Sequence, residues 1–149
     1  MLNPNRFGNS RRPGATVVEG AVVLSVCLLF LFGIYEYGRL LMMRNLLDHA
    51  AREGARRAVA HVGGLATSDI QNWVMSALAG QDRQLQGLNI QVYMADNNGN
   101  NAGAWSSAGF GQYIAVQIDG DYAPVLPTFL SMNPTVHIQS KAVMYSEGN

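Results

Sequence analysis

The sequence predicts an α+β fold in which a long N-terminal transmembrane helix continues into a small head with a short helix and a three- to four-stranded antiparallel sheet. Three observations predict it. Residues 15–35 form an apolar run with one charge, helical spacing of apolar residues persists from there to about Ala60, and three later segments alternate apolar and polar residues with the period of a strand. Only 13% of the 149 residues are charged, against roughly 25% in an ordinary soluble domain. Ten basic and ten acidic side chains leave no net charge, which excludes a nucleic-acid binder acting through bulk positive charge and an acidic disordered tail. Cys27 stands alone, so the chain is not a disulfide scaffold.

The first element is the run ATVVEGAVVLSVCLLFLFGIY, residues 15–35. As a helix it is roughly 30 Å long, the thickness of a bilayer's hydrocarbon core. A buried helix of a small soluble domain is the competing explanation, but 21 residues without a polar face are rare there. Tyr35 and Tyr37 lie where interfacial aromatics belong, and Arg39 follows as an anchor. Charge is segregated around the run. Residues 1–14 carry Arg6, Arg11 and Arg12 and no acid, whereas residues 62–149 carry six acids against Arg83 and Lys141. By the positive-inside rule the N-terminus is cytoplasmic and everything after Glu36 is outside. The expected organisation is a basic leader over 1–14, a bilayer-spanning segment over 15–35, a helical extension over 36–62 and an extracytoplasmic head over 63–149.

An ordinary cleavable secretory signal has a shorter apolar region and ends on small residues in an A-x-A pattern. Here the run is longer and passes into Gly-Ile-Tyr-Glu-Tyr-Gly-Arg. It also contains Glu19, and a carboxylate in hydrocarbon costs a few kcal/mol, so it points to a function unless it stays wet near the interface. Glu19 is the fifth residue after Gly14, which closes the basic leader Arg11-Arg12-Pro13-Gly14. A basic leader, glycine, an apolar helix and glutamate at its fifth position resemble the signal of type IV prepilin-like proteins. That resemblance implies a pilin-like fold and cleavage between Gly14 and Ala15 by a prepilin peptidase on the cytoplasmic side. It also implies that Glu19 is an assembly carboxylate, paired with the N-terminal amine of a neighbouring subunit. A small residue before the scissile bond suits a narrow site, and Pro13 disfavours helix just ahead of it.

Two further stretches narrow the resemblance. Phe32-Gly33-Ile34-Tyr35-Glu36-Tyr37-Gly38-Arg39 and Ala50-Ala51-Arg52-Glu53-Gly54-Ala55-Arg56-Arg57-Ala58 are similar to the hallmark stretches of TadE-like proteins, minor pseudopilins of the Tad (tight adherence) branch of type IV filament machinery. The resemblance covers residues 11–60 or so. Gly20 departs from it, standing where a large apolar residue such as Phe is expected. The implied partners are a prepilin peptidase, other pilin and pseudopilin subunits, an inner-membrane pilus assembly platform and the lipid bilayer, with no nucleic acid. The implied location is the bacterial inner membrane, single-pass, with a place in an extracellular filament. An uncleaved single-pass anchor displaying an extracytoplasmic binding domain is the alternative.

Beyond the bilayer, Leu40, Leu47, Ala50, Ala51, Gly54, Ala55 and Ala58 form one stripe of increasingly small residues. It either meets other subunits closely or, the reading we favour from Gly54 onward, packs under the protein's own head. The opposite surface sets Asp48 before Arg52 and Glu53 before Arg57 at i,i+4, a solvated ladder. Gly63-Gly64 ends the helix. Thr67 or Ser68 is the expected cap of a short helix over 69–79, whose Ile70, Trp73, Val74, Ala77 and Leu78 form a core face. The strand-like segments are 88–95, 112–119 and 135–145, the last with an expected bulge near Ser140-Lys141, and Asp119-Gly120-Asp121 reads as a tight turn or the edge of a bulge. Pro124, Pro127 and Pro134 keep residues 123–134 out of a central strand.

The Asn/Gly-rich stretch opening 96–112 offers oxygens at alternate positions, but Asn101 and Ser107 stand where a calcium loop of the EF-hand kind has Gly and Glu, so a flexible connection is expected. Residues 105–110, from Trp105 to Phe110, are a candidate exposed adhesive tip. His49, His61 and His137 lack metal-ligand spacing, and no nucleophile elbow, phosphate-binding glycine loop or H-E-x-x-H motif occurs. No cofactor, metal or catalytic residue is expected; the chain reads as a substrate of a peptidase rather than an enzyme.

Overall fold

The structure, a computed structural model, describes residues 13–60, 62, 64–125 and 135–146, without the side chains of Pro13 and Ala15. Most of the leader, His61, Gly63, Pro127 and Pro134 lie outside the described residues. The chain divides into two units, Met1–Tyr35 and Glu36–Asn149. The first helix, α1, spans Pro13–Ala60 and is not interrupted at Gly33 or Gly38.

Within the first unit the described residues are helix alone, long and apolar enough to cross a membrane. Val17, Val18, Val22, Val23, Leu24 and Phe30 are exposed by half or more. Each such large apolar side chain gains about 1.5–3 kcal/mol on burial, so this surface favours an apolar surrounding over water.

The second unit begins at Glu36 and is built around an antiparallel sheet. After α1 come α2 (Thr67–Ala77), a short 3₁₀ turn (Gln81–Gln84), β1 (Leu85–Ala95), β2 (Asn101–Gly103), a second 3₁₀ turn (Trp105–Ser107), β3 (Tyr113–Tyr122) and β4 (Val136–Tyr145). The sheet order is β2-β1-β3-β4, antiparallel throughout. One sheet face lies against the α1 stripe. Leu47, Ala50, Ala51, Ala55 and Ala58 are completely buried with Ile70, Val74, Leu78, Ile114, Val116 and Ile118 in one core. The stripe therefore packs under the protein's own head. Gly54 marks the closest approach, for a Cβ there would lie 2.6 Å from Val74 Cγ2 and 3.4 Å from Val116 Cγ1.

Several local expectations change. α2 starts two residues earlier than its apolar face implies, and neither Thr67 nor Ser68 caps it: the cap residue is Ala66, whose N–H donates to Asp69 Oδ2 at 3.0 Å. Asp69 at the third helical position takes over the role because Ala66 has no acceptor of its own. β3 runs through Asp119-Gly120-Asp121, so this is not a turn but the edge of a bulge in a longer strand, opposite the register shift between Gln86 and Asn89; Gly120 holds an inward position against Leu85. β4 has no bulge: it pairs with β3 residue for residue from Val136 to Tyr145. Its alternation carries Ser140 and Ala142 inward, and the polar Ser140 keeps phase because its hydroxyl donates to Asp48 Oδ1 at 2.6 Å. The irregularity sits in β1 instead, between Gln86 and Asn89, where Gly87 takes φ +63°, a conformation that costs glycine little.

Candidate functional site

The sequence-predicted residues fall into two groups, each confined to one unit. In the first unit, Glu19 lies on the exposed surface of α1, in a shallow depression with Thr16, Gly20, Val23, Leu24 and Cys27. Nothing lies within 4 Å of the position a Cβ on Gly20 would take, so the residue that departs from the expected bulky pattern leaves a gap beside the carboxylate. Gly14 is also exposed. Phe32 is exposed and Gly33 partly so.

In the second unit, Glu36 and Arg39 come together with residues far along the chain. Glu36 is only 3% exposed. Its Oε1 accepts from the Tyr122 hydroxyl at 2.8 Å and from the Val125 N–H at 3.2 Å, with Arg39 at 3.7 Å. Arg39 donates to Gln84 Oε1 at 2.7 Å and lies 5.8 Å from the Tyr122 ring centre. Arg39 therefore turns into the head. The spacing is what allows it: Glu36 and Arg39 are one turn apart on α1, so both reach the same end of β3. A buried carboxylate is tolerated when it is paired and hydrogen-bonded, and this one is held by a cation and two donors. Tyr122 is the participant that the sequence reading missed. The signal was available in the alternation Ile114, Val116, Ile118, Gly120, Tyr122, which carries the inward row past Asp119. Gly38 is exposed, with no atom within 4 Å of where its Cβ would be.

Further along α1, Ala51, Gly54 and Ala55 belong to the buried stripe, while Arg52, Glu53 and Arg56 lie on the opposite surface. Glu53 Oε1 accepts from Arg57 Nε at 2.8 Å and Oε2 pairs with Arg56 at 3.4 Å. Those arginines, Arg57 first, hold the Glu53 carboxyl below the usual carboxylate range. Arg57 also sits 4.5 Å from the Trp73 ring centre, a cation–π contact to α2. The expected Asp48–Arg52 side-chain pair does not form. Asp48 turns to Ser140, and Arg52 donates to the Asp48 carbonyl at 3.2 Å.

The Asn/Gly-rich stretch is tied down rather than loose. Asp96 Oδ1 accepts the N–H groups of Asn98 at 2.8 Å and Asn100 at 2.7 Å, and these bonds, the one to Asn100 foremost, lower the Asp96 pKa. The Gly99 carbonyl accepts from Tyr93 Oη at 3.3 Å and Lys141 Nζ at 3.0 Å. Trp105 is buried, its Nε1 donating to Thr67 Oγ1 at 2.8 Å, which leaves Phe110, at 83% exposed, as the apolar tip. Among the described residues no three His, Cys, Asp or Glu side chains gather as a metal site.

With this geometry in hand, the comparisons bear on one stretch. Residues 14–56 match the family model of the TadE-like proteins. No curated protein and no solved structure matches the chain. The match begins at Gly14, contains Glu19, Glu36 and Arg39, and ends at Arg56, on the surface opposite the buried stripe. Over residues 14–56, then, the chain is similar to the TadE-like proteins, and that stretch lies on the one helix among the described residues that is long and apolar enough to cross a membrane.

Proposed function

We propose that this protein is a minor pilin-like (pseudopilin) subunit, made as a membrane-held precursor, cut between Gly14 and Ala15 by a prepilin peptidase, and used in assembling a Tad-type filament or in its adhesion. The observation that carries the reading is the TadE-like match beginning at Gly14, on a helix whose apolar surface is exposed among the described residues of its unit. In this account the leader's arginines hold the N-terminus on the cytoplasmic side of the inner membrane, where the peptidase and the assembly platform reach it. Residues 15–35 keep the subunit in the bilayer until it is extracted. Glu19, exposed on that helix, pairs with the new α-amino group of Ala15 on a neighbouring subunit, which neutralises two charges that are costly in hydrocarbon. The head, covering the α1 stripe with its own sheet, stays outside and presents Phe110 and its surroundings.

Processing and assembly separate by mutation in a host that supplies a prepilin peptidase and the other pilus subunits. Gly14→Leu blocks cutting, because a bulky residue does not enter a site built for a small one. Glu19→Ala leaves cutting largely intact and impairs incorporation into filaments. Normal filament incorporation by Glu19→Ala removes the assembly role of the carboxylate. Normal processing of Gly14→Leu removes Gly14 from the cleavage site, and a parent chain that keeps Met1 in that host favours the uncleaved anchor displaying a binding domain.

A further inference from the structure

The ends of β3 and β4 carry a pair of tyrosines in a reactive arrangement. Tyr113 and Tyr145 are directly opposed in the ladder. Their ring centres are 4.3 Å apart, the planes are tilted by 38°, and the two hydroxyls are hydrogen-bonded to each other. Rings in contact at their centres and joined at their hydroxyls hold the carbons ortho to oxygen side by side. The hydrogen bond to Tyr145 raises the Tyr113 pKa. Tyr145 is 58% exposed and open to oxidants in solution.

The other tyrosines are placed differently. Tyr93 and Tyr122 are buried, with hydroxyls donating to Gln117 and Glu36 respectively. Tyr35 and Tyr37 are two residues apart on a helix and face different directions.

We propose that Tyr113 and Tyr145 are an oxidative modification site that closes into an intrachain dityrosine link when a peroxide-driven one-electron oxidant is present. Each phenol loses one electron and one proton, giving two phenoxyl radicals. These couple through their ortho carbons to form one C–C bond, and the two ring hydrogens at those carbons return to oxygen as the rings regain aromaticity. The protein loses two hydrogen atoms in total and one hydrogen peroxide becomes two waters. The link joins β3 to β4 at the end of their ladder and closes residues 113–145 into a loop. That is the topological role of a disulfide, in a chain whose one cysteine, Cys27, has no second cysteine to join.

The test treats the full-length protein in detergent with hydrogen peroxide and a haem peroxidase, followed by intact mass and peptide mapping. The expected product is a monomer lighter by two hydrogens, with dityrosine fluorescence and a cross-linked peptide pair containing residues 113 and 145. Tyr113→Phe and Tyr145→Phe, which keep the ring stack, each abolish that product, while Tyr93→Phe retains it; circular dichroism checks that all three variants fold. Dityrosine found only in covalent dimers, a link through other tyrosines, or no dityrosine in the monomer overturns the proposal.

Discussion

Tyr122 donates its hydroxyl to a carboxylate that is almost fully buried, and that one bond joins the end of β3 to the start of the second unit's helix. Hydrogen bonds to charged groups contribute about 1.5–3 kcal/mol, and leaving the acceptor unsatisfied is the costly outcome. Tyr122→Phe is therefore expected to lower the stability of the head by about 1.5–3 kcal/mol, measured by chemical denaturation of the protein in detergent, with Tyr93→Phe as the comparison. An unchanged midpoint would mean that Arg39 and the Val125 N–H suffice for Glu36. This joint shows how far residues alone could be read. That Glu36 and Arg39 belong together follows from their spacing of one helical turn. That they face inward does not, because the partners that make burial tolerable, Gln84 and Tyr122, are far along the chain, and the alternation that turns Tyr122 inward does not say what it meets. Ser140 is similar. Its polarity argued for a break in the β4 alternation, and only Asp48 across the core explains why the alternation holds.

The elements themselves were legible wherever periodicity was strong. The stripe from Leu47 to Ala58 predicted a helix face shrinking toward small residues, and the sheet lies against that face. The starts of α2 and β1 were less legible, because Ala66 as a cap and Gly87 at a bulge have no distinctive side chain to signal them. The tightest consequence of the stripe falls on Gly54. Alanine has the better helix propensity by about 1 kcal/mol, so in an exposed helix Gly54→Ala would stabilise. Here the new methyl would meet Val74 Cγ2 at 2.6 Å, and valine is β-branched and stiff at χ1. Overpacking of this kind costs about 1–3 kcal/mol, so Gly54→Ala is expected to destabilise on balance, and Gly54→Leu more strongly. Thermal melts of the three proteins check the order. If Gly54→Ala melts higher than the parent chain, the close approach of α1 to α2 and β3 is wrong.

At the scale of the whole molecule, the proposed processing makes charge and hydropathy those of a precursor and its product. The precursor is neutral, with ten charges of each sign. Removal of 14 residues takes Arg6, Arg11 and Arg12 and leaves 135 residues with seven basic and ten acidic side chains. In the proposed account the orientation signal is then spent, and the low charged fraction is partly that of a helix suited to lipid. The most direct test of this account is the N-terminal sequence and intact mass of the protein isolated from a host with an active prepilin peptidase. A chain beginning at Ala15, lighter than the precursor by the mass of residues 1–14, is the predicted result. A protein that keeps residues 1–14 attached in that host would contradict it.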